Sequence, residues 1–347
     1  MSESAKPVEV REFLHGDETL WDDYVGSHAD GTFLQLSGWR SVYEQFDWIR
    51  PRHLMAYRDG NLVGVMPIAS VTWGVGSKAL VSTPFCVTGG ALADDAETRF
   101  ALEAHAIELG RASRHQFLEL RCITEISDGS HVVRRYANFC RTLGSSEEEN
   151  LNQIPRKQRA MIRKGEGAGL RFVKEIDIDS FLPLYQRSMR FLGTPCYPNL
   201  LFRALLSRFN HNVRISGVEH EGQLVAAVLN FYYRGRVMPY YSGALPVARK
   251  LKAYDYLYWQ ILCDAFEAGT RQFDFGRSLI GSGAYAFKKN WGFEPEPLHY
   301  RVISLADKKI RSLDPDSRVN QLARRCWTRI PLPIANAIGP ILSRRLV

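Results

Sequence analysis

The chain lacks long hydrophobic runs. No stretch of its 347 residues approaches the roughly 18 uninterrupted apolar residues of a membrane-spanning helix. Its N-terminus, MSESAKPVEV, is polar, so we expect no secretory signal and a cytoplasmic location. Hydrophobic residues make up 45% of the chain and charged residues 24%, which is ordinary for a globular protein and excludes wholesale disorder.

Cysteine is also scarce, and its spacing excludes the common metal sites. The 6 cysteines are scattered, with no CxxC pair and no His/Cys pairing at zinc spacing. We therefore expect reduced thiols, no metal site and no permanently bound cofactor.

The positive charge is unevenly distributed. The chain has 45 Lys+Arg and 37 Asp+Glu, a formal charge of +8. Residues 151–174 carry a net charge of +6 and residues 301–347 a net charge of +7, so the remainder is mildly acidic. Two basic segments predict anionic partners at two places, and nucleic acid, phosphorylated cofactors and anionic lipid are all compatible with them.

The chain contains an internal repeat at an offset of about 160 residues, too long for a solenoid unit. His53–Val71 has the pattern of a hairpin around the turn pair Asp59-Gly60, and Val213–Tyr232 repeats it around Glu221-Gly222. Each copy continues with a further strand, a helix that ends at a glycine and a short strand carrying an acidic residue. These segments are Lys78–Ser82, Ala101–Gly110 and Phe117–Leu120 in the first copy, and Val237–Ser242, Tyr254–Gly269 and Phe273–Phe275 in the second.

The repeat predicts two copies of one α/β domain, joined near Glu147–Gly169, where an acidic run precedes Pro155 and several glycines. We predict a first domain over residues 1–150, a second over residues 151–305, and a basic amphipathic tail over residues 306–347.

The order hairpin, strand, helix, strand, helix, strand resembles the GNAT type of acetyltransferase fold. The stretch Phe273–Pro297, FDFGRSLIGSGAYAFKKNWGFEPEP, resembles the FemAB-like acyltransferases, in particular the proteobacterial group linked to exosortase and exopolysaccharide systems. Phe191–Phe202, Ala253–Tyr256 and Leu298–Tyr300 match as well. The resemblance implies an α/β fold of tandem GNAT-like domains, with mixed sheets and helices on both faces.

The resemblance also implies amide formation. In the enzymes that give the family its name, an aminoacyl-tRNA donates an amino acid to an amine of a cell-wall precursor, whereas related proteins resemble acyl-CoA-dependent N-acyltransferases such as bacterial ceramide synthases. Both reactions require loss of the amine proton, stabilisation of an oxyanion and a charge partner for the leaving group. The sequence has no GxSxG elbow and no credible Cys-His pair, which favours direct transfer without a covalent enzyme intermediate.

The same likeness points to Lys288 as a catalytic residue. It lies four positions before Gly292, where GNAT enzymes often have the tyrosine that protonates the leaving thiolate, and FemX-like enzymes have a similar Phe-Lys pair. The alternative is that Lys288, like Lys289, is a surface lysine of a helix. Asp274 is a candidate base for the ammonium, or else the partner of Arg277 in a structural ion pair.

Two tyrosines lie near the expected reaction centre. Tyr240 and Tyr241 follow each other on one strand, so we expect one to face the cleft and the other the opposite layer. Core packing is the alternative for either. Glu119, the counterpart of Asp274, has no Phe-Lys-Lys segment behind it, so the first domain is predicted to shape the acceptor cleft without catalysing.

Binding residues are predicted for both substrates. In the GNAT fold, the N-terminus of the helix after the fourth strand binds the pyrophosphate of acyl-CoA, which is the expected co-substrate here. In this chain that position corresponds to Gly243–Trp259, and the alternative is a solvated basic loop. The donor candidates are Arg249, Lys250, Lys252, Ala253 and Tyr254. The candidates for the acceptor or its phosphates are Arg277, Tyr285, Lys289, Thr194, Tyr197, Arg156, Arg159 and Arg163. The three arginines share one face if Pro155–Lys164 is helical, and a phosphate grip, a tRNA contact and a solvated face are all open.

The C-terminal segment combines apolar and basic residues. Val319–Val347 contains Trp327, several Ile and Leu, five arginines and three prolines. Such a segment is typical of a chain lying in the headgroup layer of an anionic membrane, and the alternative is a tail packed on the protein's own body.

The sequence therefore predicts a cytoplasmic N-acyltransferase, peripheral on the inner membrane, that transfers a long-chain acyl group from acyl-CoA to an amine such as a sphingoid base. An aminoacyl-tRNA-dependent transferase acting on an envelope precursor ranks second, because no known RNA-binding module and no aromatic interleaving for base stacking are present. A non-catalytic partner in envelope or exopolysaccharide assembly is the third reading. DNA is not expected as a partner.

Overall fold

The computed structural model of the chain describes residues 7–74, 77–122, 131–306 and 318–346. Its strands are β1 (Glu9–Glu12), β2 (Ile49–Pro51), β3 (Leu54–Arg58), β4 (Asn61–Met66), β5 (Ile68–Thr72), β6 (Lys78–Ser82), β7 (Leu92–Ala93), β8 (Phe117–Cys122), β9 (His131–Asn138), β10 (Cys140–Thr142), β11 (Arg171–Val173), β12 (Val213–His220), β13 (Gln223–Tyr233), β14 (Arg236–Ala244), β15 (Gln272–Asp274), β16 (Ser278–Leu279) and β17 (Glu296–Ser304).

Its α-helices are α1 (Glu18–Ser27), α2 (Gly38–Tyr43), α3 (Ala96–Ala112), α4 (Glu147–Asn152), α5 (Arg156–Glu166), α6 (Ile178–Phe191), α7 (Asn199–Phe209), α8 (Ala248–Leu251), α9 (Ala253–Glu267), α10 (Gly283–Asn290), α11 (Arg318–Trp327) and α12 (Leu332–Leu342). Within the described residues, no helix has the length and apolar character needed to cross a membrane.

The chain divides into two compact units. Unit 1 holds the described residues of Met1–Arg134, Leu298–Ser312 and Arg344–Val347, and unit 2 those of Arg135–Pro297 and Leu313–Ser343. In unit 1, one antiparallel sheet has the order β1-β3-β4-β7, and a second series of strands runs β17-β8-β6-β5-β2 with β6 and β8 parallel. Helix α3 packs against β1, β3, β4, β7 and β8, so the core of this unit lies beneath it.

Unit 2 is built on a six-stranded sheet with the order β10-β15-β14-β13-β12-β11. All its neighbours are antiparallel except β14 and β15. Gly243 on β14 lies against the backbone of α6, while the adjacent Ser242 hydrogen-bonds Tyr254 on α9. Because side chains alternate along a strand, α6 and α9 cover opposite faces, and α5 packs on the outside of α9.

The predicted repeat is confirmed at its two hairpins. Asp59 and Gly60 have φ values of 53° and 78°, and Glu221 and Gly222 have 51° and 77°. Positive φ at both central residues is the geometry of the type I′ turn, whose twist matches that of the flanking strands. The tandem α/β fold predicted from the sequence is therefore present.

The units differ from the predicted segments at three places. β10 pairs with β15, with Cys140 opposite Asp274, so the chain from Arg135 onward belongs to unit 2 and not to a first domain ending at 150. β17 pairs with β8, so residues from Leu298 return to unit 1. The expected joint at 147–169 is largely helical, because α4 and α5 occupy it and α5 is packed on α9.

The C-terminal helices pack on unit 2, in contrast to the expectation of a separate tail beyond residue 305. Asn336 on α12 donates to Gln186 on α6 at 2.9 Å, and Arg190 donates to the Ile330 carbonyl at 2.6 Å. Gly339 approaches Cys196 so closely that a Cβ there would lie 2.9 Å from its sulfur. One side of the C-terminal segment therefore packs on the protein's own body, which was the alternative considered for it.

Gly243 gives a direct test of the close packing between β14 and α6. A Cβ at this position would lie 2.3 Å from the Tyr185 nitrogen, and backbone cannot rotate away as a side chain can. We expect Gly243→Ala to lower the free energy of unfolding by roughly 3 kcal/mol, measured by urea denaturation. Gly283→Ala is the matched control because open space surrounds Gly283, and its stability is expected to stay near that of the parent. Equal midpoints for both variants would contradict the packing.

Candidate active site

The candidate site is centred on the end of β15, where Asp274 is 2% exposed. One carboxylate oxygen accepts a hydrogen bond from the Gly276 backbone N–H at 2.8 Å, and the other lies 3.4 Å from a guanidinium nitrogen of Arg236. Gly276 has a φ of 65°, a conformation that favours glycine and lets the chain turn back toward the carboxylate. Burial raises the pKa of Asp274, while Arg236, the Gly276 bond, Lys288 and Asn138 oppose that rise.

Lys288 lies beside this carboxylate and is only 9% exposed, so it is not a surface lysine. Its ammonium donates hydrogen bonds to the carbonyls of Gly276 at 2.9 Å and Arg277 at 3.0 Å. Its Nζ also lies 5.5 Å from the ring centroid of Phe139. Burial lowers the pKa of Lys288 to about 7, with Asp274 acting to raise it and Arg277 to lower it.

This arrangement allows Lys288 to act as an acid or as a base. An ammonium has three N–H groups, and the two carbonyls take two of them. The remaining position on the nitrogen is an N–H when the lysine is charged and a lone pair when it is neutral. A pKa near neutrality populates both forms and suits proton transfer at physiological pH.

A second buried carboxylate, not predicted from the sequence, fixes the end of α10. Asp255 on α9 accepts hydrogen bonds from Gln158 on α5 and from the Trp291 indole, the latter at 3.3 Å. Gly292, with a φ of 78°, lies so close to the chain before α5 that a Cβ would be 2.9 Å from the Gln153 carbonyl. The C-terminal end of α10, the helix that carries Lys288, is therefore held by contacts with α9 and with the chain before α5. Asp255 and Trp291 lie in stretches that the sequence analysis matched to the family, Ala253–Tyr256 and Phe273–Pro297, but the sequence did not show that the two residues are in contact.

The other predicted residues around Lys288 have distinct surroundings. The guanidinium of Arg277 lies 4.5 Å from the ring centroid of Tyr136, a cation–π distance. Tyr285 packs edge-on against Phe139, with centroids 5.2 Å apart. Lys289 is exposed. Arg236, which the sequence did not single out, contacts Asp274.

The expectation that Tyr240 and Tyr241 face opposite layers is wrong. A bulge in β14 places Leu229 opposite Tyr241 and Asn230 opposite Pro239, so Tyr240 is the extra residue and the alternation of side chains breaks. Their rings contact each other edge-on, with centroids 4.8 Å apart. Tyr241 is buried, whereas Tyr240 is partly exposed.

The predicted acceptor loop does meet this tyrosine pair. Tyr197 lies 6.0 Å from Tyr241 between ring centroids, and its backbone N–H donates to the Tyr185 hydroxyl at 3.3 Å. Thr194, three residues earlier on the same loop, is partly exposed. The loop between α6 and α7 thus packs on the α6 side of β14, at the bulge.

The basic residues of α5 and those before α9, which the sequence analysis considered separately, lie next to each other. α5 buries Gln158, Ile162 and Gly165 against α9, which leaves its basic residues outward. Arg156 and Arg163 are exposed, while Arg159 is partly exposed and donates to Asn152 at 2.6 Å. A Cβ on Gly165 would lie 3.2 Å from the carbonyl of Lys252, so the C-terminal end of α5 touches the junction of α8 and α9.

That junction carries the predicted donor residues in two different environments. Arg249 and Lys250 are exposed, and Lys252 has a φ of 57° between α8 and α9. Ala253 is fully buried, and the Tyr254 hydroxyl is engaged by Ser242 and Ser188. The side chains of Ala253 and Tyr254 are therefore part of the packing, and the basic side chains are the ones that face solvent.

In unit 1, Glu119 forms an ion pair with Arg121 at 2.9 Å. Within the described part of the chain, no group of three or more His, Cys, Asp or Glu side chains is arranged to hold a metal ion.

Comparisons with known proteins support the fold. Residues 151–289 match the family model described as an acetyltransferase (GNAT) domain. FemX has 14% identity and a TM-score of 0.66, with 92% of this chain and 100% of that chain covered. A tandem GNAT protein from the clavulanic acid biosynthesis pathway has 15% identity and a TM-score of 0.55, covering 87% and 100%.

A third structure, the C-terminal domain of a protein described as a lysylphosphatidylglycerol synthetase from Agrobacterium fabrum, has 15% identity and a TM-score of 0.50, covering 69% of this chain and 80% of that chain. No curated protein sequence matches the chain. The chain therefore has a tandem GNAT-like fold, and its residues 151–289, which include Lys288, are similar to a GNAT acetyltransferase domain.

The depressed pKa of Lys288 predicts a pH dependence of stability. From a native pKa of about 7 to the ordinary value of 10.5, the unfolded lysine holds more protons than the native one, so the free energy of unfolding rises with pH. We expect this lysine to contribute about 2 kcal/mol more at pH 9 than at pH 7, and Lys288→Met to lose that increment. Denaturation at the two pH values measures it.

Lys289→Met, in the same helix but exposed, is the control and is expected to keep the parent's pH dependence. An unchanged slope in Lys288→Met would mean that Lys288 remains charged in the folded protein throughout this range.

Proposed function

We propose that the protein is an N-acyltransferase that transfers a long-chain acyl group from acyl-CoA to the amine of a membrane-lipid precursor such as a sphingoid base. The observation that carries the proposal is the buried Lys288, held by two carbonyls beside Asp274, inside the segment that matches the acetyltransferase model. A lysine in such a position has a chemical use that a solvent-exposed lysine lacks, because its proton affinity is tuned to neutrality.

In the proposed reaction, the amine nitrogen attacks the thioester carbonyl, a carbon–nitrogen bond forms and the carbon–sulfur bond breaks. The Lys288 ammonium gives its third proton to the leaving thiolate, and the proton lost by the amine recharges the lysine. The products are an amide and free CoA, and no covalent enzyme intermediate is needed. In this assignment Asp274 and Arg236 are positioning residues that hold the turn carrying the two carbonyls.

The proposed donor site is the outward basic surface at the junction of α8 and α9. Arg249, Lys250 and Lys252 would contact the phosphates of acyl-CoA, and the neighbouring end of α5 adds Arg163. The acceptor would lie on the α6 side of β14, near Tyr240, Tyr241 and the loop with Thr194 and Tyr197. Tyr285 and Lys289 lie on α10 and Arg277 immediately precedes β16, and all three are proposed as acceptor contacts.

A second candidate is transfer of an amino acid from aminoacyl-tRNA to an envelope precursor. The specific observation that favours it is that the basic residues of α5 lie next to those at the junction of α8 and α9, since a nucleic acid backbone offers many phosphates to such a combined surface. The likeness in fold to FemX and to a lysylphosphatidylglycerol synthetase domain is compatible with both candidate functions. In our proposal, both candidate reactions act on a component of the cell envelope. The same proposal puts the protein in the cytoplasm, peripheral on the inner membrane.

The proposed role of Lys288 predicts a loss of rate. We expect Lys288→Ala to lower kcat roughly 100-fold, because the leaving group loses its proton donor. In the parent enzyme kcat should fall as pH rises through about 7, where the ammonium loses its proton, and this limb should vanish in the variant. Lys174→Ala, which removes an exposed lysine paired with Asp264, is the control. Unchanged turnover in purified Lys288→Ala would refute the assignment, and with it the main support for catalysis over a docking role.

The proposed donor surface predicts a change in binding. Reversing the charges of Arg249 and Lys250 should raise the KM for acyl-CoA more than it lowers kcat, because contacts to remote phosphates stabilise ground and transition states alike. Arg208→Glu, at an exposed arginine of α7, is the matched control.

Free CoA should raise the melting temperature of the parent protein and not of the double variant. If CoA leaves it unmoved while charged tRNA raises it, the aminoacyl-tRNA candidate replaces the acyl-CoA candidate.

A further inference from the structure

The outward side of α12 is apolar along its whole length. Ile334, Ala337 and Ile341 are exposed and recur at i, i+3 and i+7, which places them on one face of the helix, hereafter the apolar face. The opposite side of the helix is buried through Ala335 and Gly339. Ile334 is 52% exposed and Ile341 61%, although α12 has neighbours available on α6. A solvated helix ordinarily carries polar residues on its outer side, and α12 contains no charged residue at all.

Neighbouring segments extend this apolar surface. Phe191 is 74% exposed and Leu192 65%, at the C-terminal end of α6. That end contacts α11, since a Cβ on Gly193 would lie 3.1 Å from Arg324, and Arg190 bonds the Ile330 carbonyl just before α12. Single exposed apolar residues are common on proteins, but a group rimmed by polar residues marks a contact surface.

The charged residues of the C-terminal segment itself all have one sign. Between Ser317 and Val347 the sequence has no Asp or Glu. Arg324, Arg325 and Arg329 precede α12 and Arg345 follows it, and all four are exposed. Arginine side chains can extend their charged ends to phosphate groups while the helix between them sits deeper.

From the apolar face and its rim of arginines, we infer that α12 and the end of α6 dock on the surface of an anionic lipid bilayer. Apolar residues on one side of a helix, flanked by arginines in a segment that carries no acidic residue of its own, match the headgroup layer, where the apolar side chains leave water and the arginines meet lipid phosphates. An apolar groove on a protein partner would not by itself call for the exposed arginines at both ends of α12, whereas an anionic lipid surface would. This inference deepens the proposed function and rests on it in one respect, that a lipid-like acceptor is met at the membrane.

The test measures binding of the full chain to vesicles, without substrates. Phosphatidylcholine vesicles containing phosphatidylglycerol should bind the protein, pure phosphatidylcholine vesicles should bind it weakly, and rising salt should reduce binding as it screens the charges. Failure of the intact protein to bind the anionic vesicles would overturn the inference, whatever its activity.

Two variants locate the contact. Ile334→Ser with Ile341→Ser should lower the vesicle partition constant roughly tenfold, because the face loses buried apolar area. Arg324→Gln with Arg325→Gln should lower it roughly fivefold for each charge removed. Phe100→Ser, at an exposed apolar residue of α3 in unit 1, and Arg208→Gln are the matched controls and should bind as the parent does. Parent-like binding by both double variants would overturn the assignment of this face.

Two further readouts separate the rival explanations. If a second copy of the chain covers the apolar face, the intact protein will elute as a dimer, the isoleucine variant as a monomer, and neither will need lipid, which would overturn the inference. Acylation of a short soluble amine should persist in both double variants. If vesicle binding is confirmed but no acylation of any amine is found, the proposed function fails while the membrane contact stands.

Discussion

The candidate site depends on a strand of three residues. β15 lies between β14, to which it is parallel, and β10, to which it is antiparallel, so it is fixed from both sides before the chain turns at Gly276. That turn aims two carbonyls at the Lys288 ammonium and one N–H at the Asp274 carboxylate. A displacement of β15 would break the contact between Asp274 and Arg236 and would move the two carbonyls away from Lys288.

Burial and charge act against each other at this point. Removing a carboxylate and an ammonium from water costs several kcal/mol for each ion, which hydrogen bonds and mutual attraction offset only in good geometry. Asp274 obtains its partners from Arg236 and Gly276, and Lys288 obtains two carbonyls. Because burial dominates for both groups, the pKa of the acid rises and that of the lysine falls. Such opposed shifts are a frequent property of functional sites, and they are the physical basis of the proposed proton transfer.

Fold and function rest on different observations in this protein. The tandem GNAT architecture is carried by the family model over residues 151–289 and by likeness to solved structures at low identity. One fold hosts many activities, so the choice of donor and acceptor depends on particular surfaces. The exposed basic residues at the α8–α9 junction and on α5 bear on the donor, whereas the tyrosines at the bulge of β14 and the apolar face of α12 bear on the acceptor and its location.

Sequence alone determined the repeat and the hairpin turns, because turn chemistry and short-range periodicity are local properties. The resemblance of Phe273–Pro297 to FemAB-like acyltransferases directed attention to Lys288, whose catalytic role stays a prediction. Long-range strand pairing could not be predicted from the sequence. Only the tertiary structure assigned residues 135–150 to unit 2, because the pairing of Cys140 with Asp274 joins strands that are far apart in the chain. The bulge that puts Tyr240 and Tyr241 in contact was likewise invisible, because one extra residue in a ladder leaves no pattern in composition. The tertiary structure also determined which of two adjacent lysines is buried. The same letters, Lys-Lys, encode one lysine held in the interior and one in solvent, and the packing of α10 on its neighbours determines which is which.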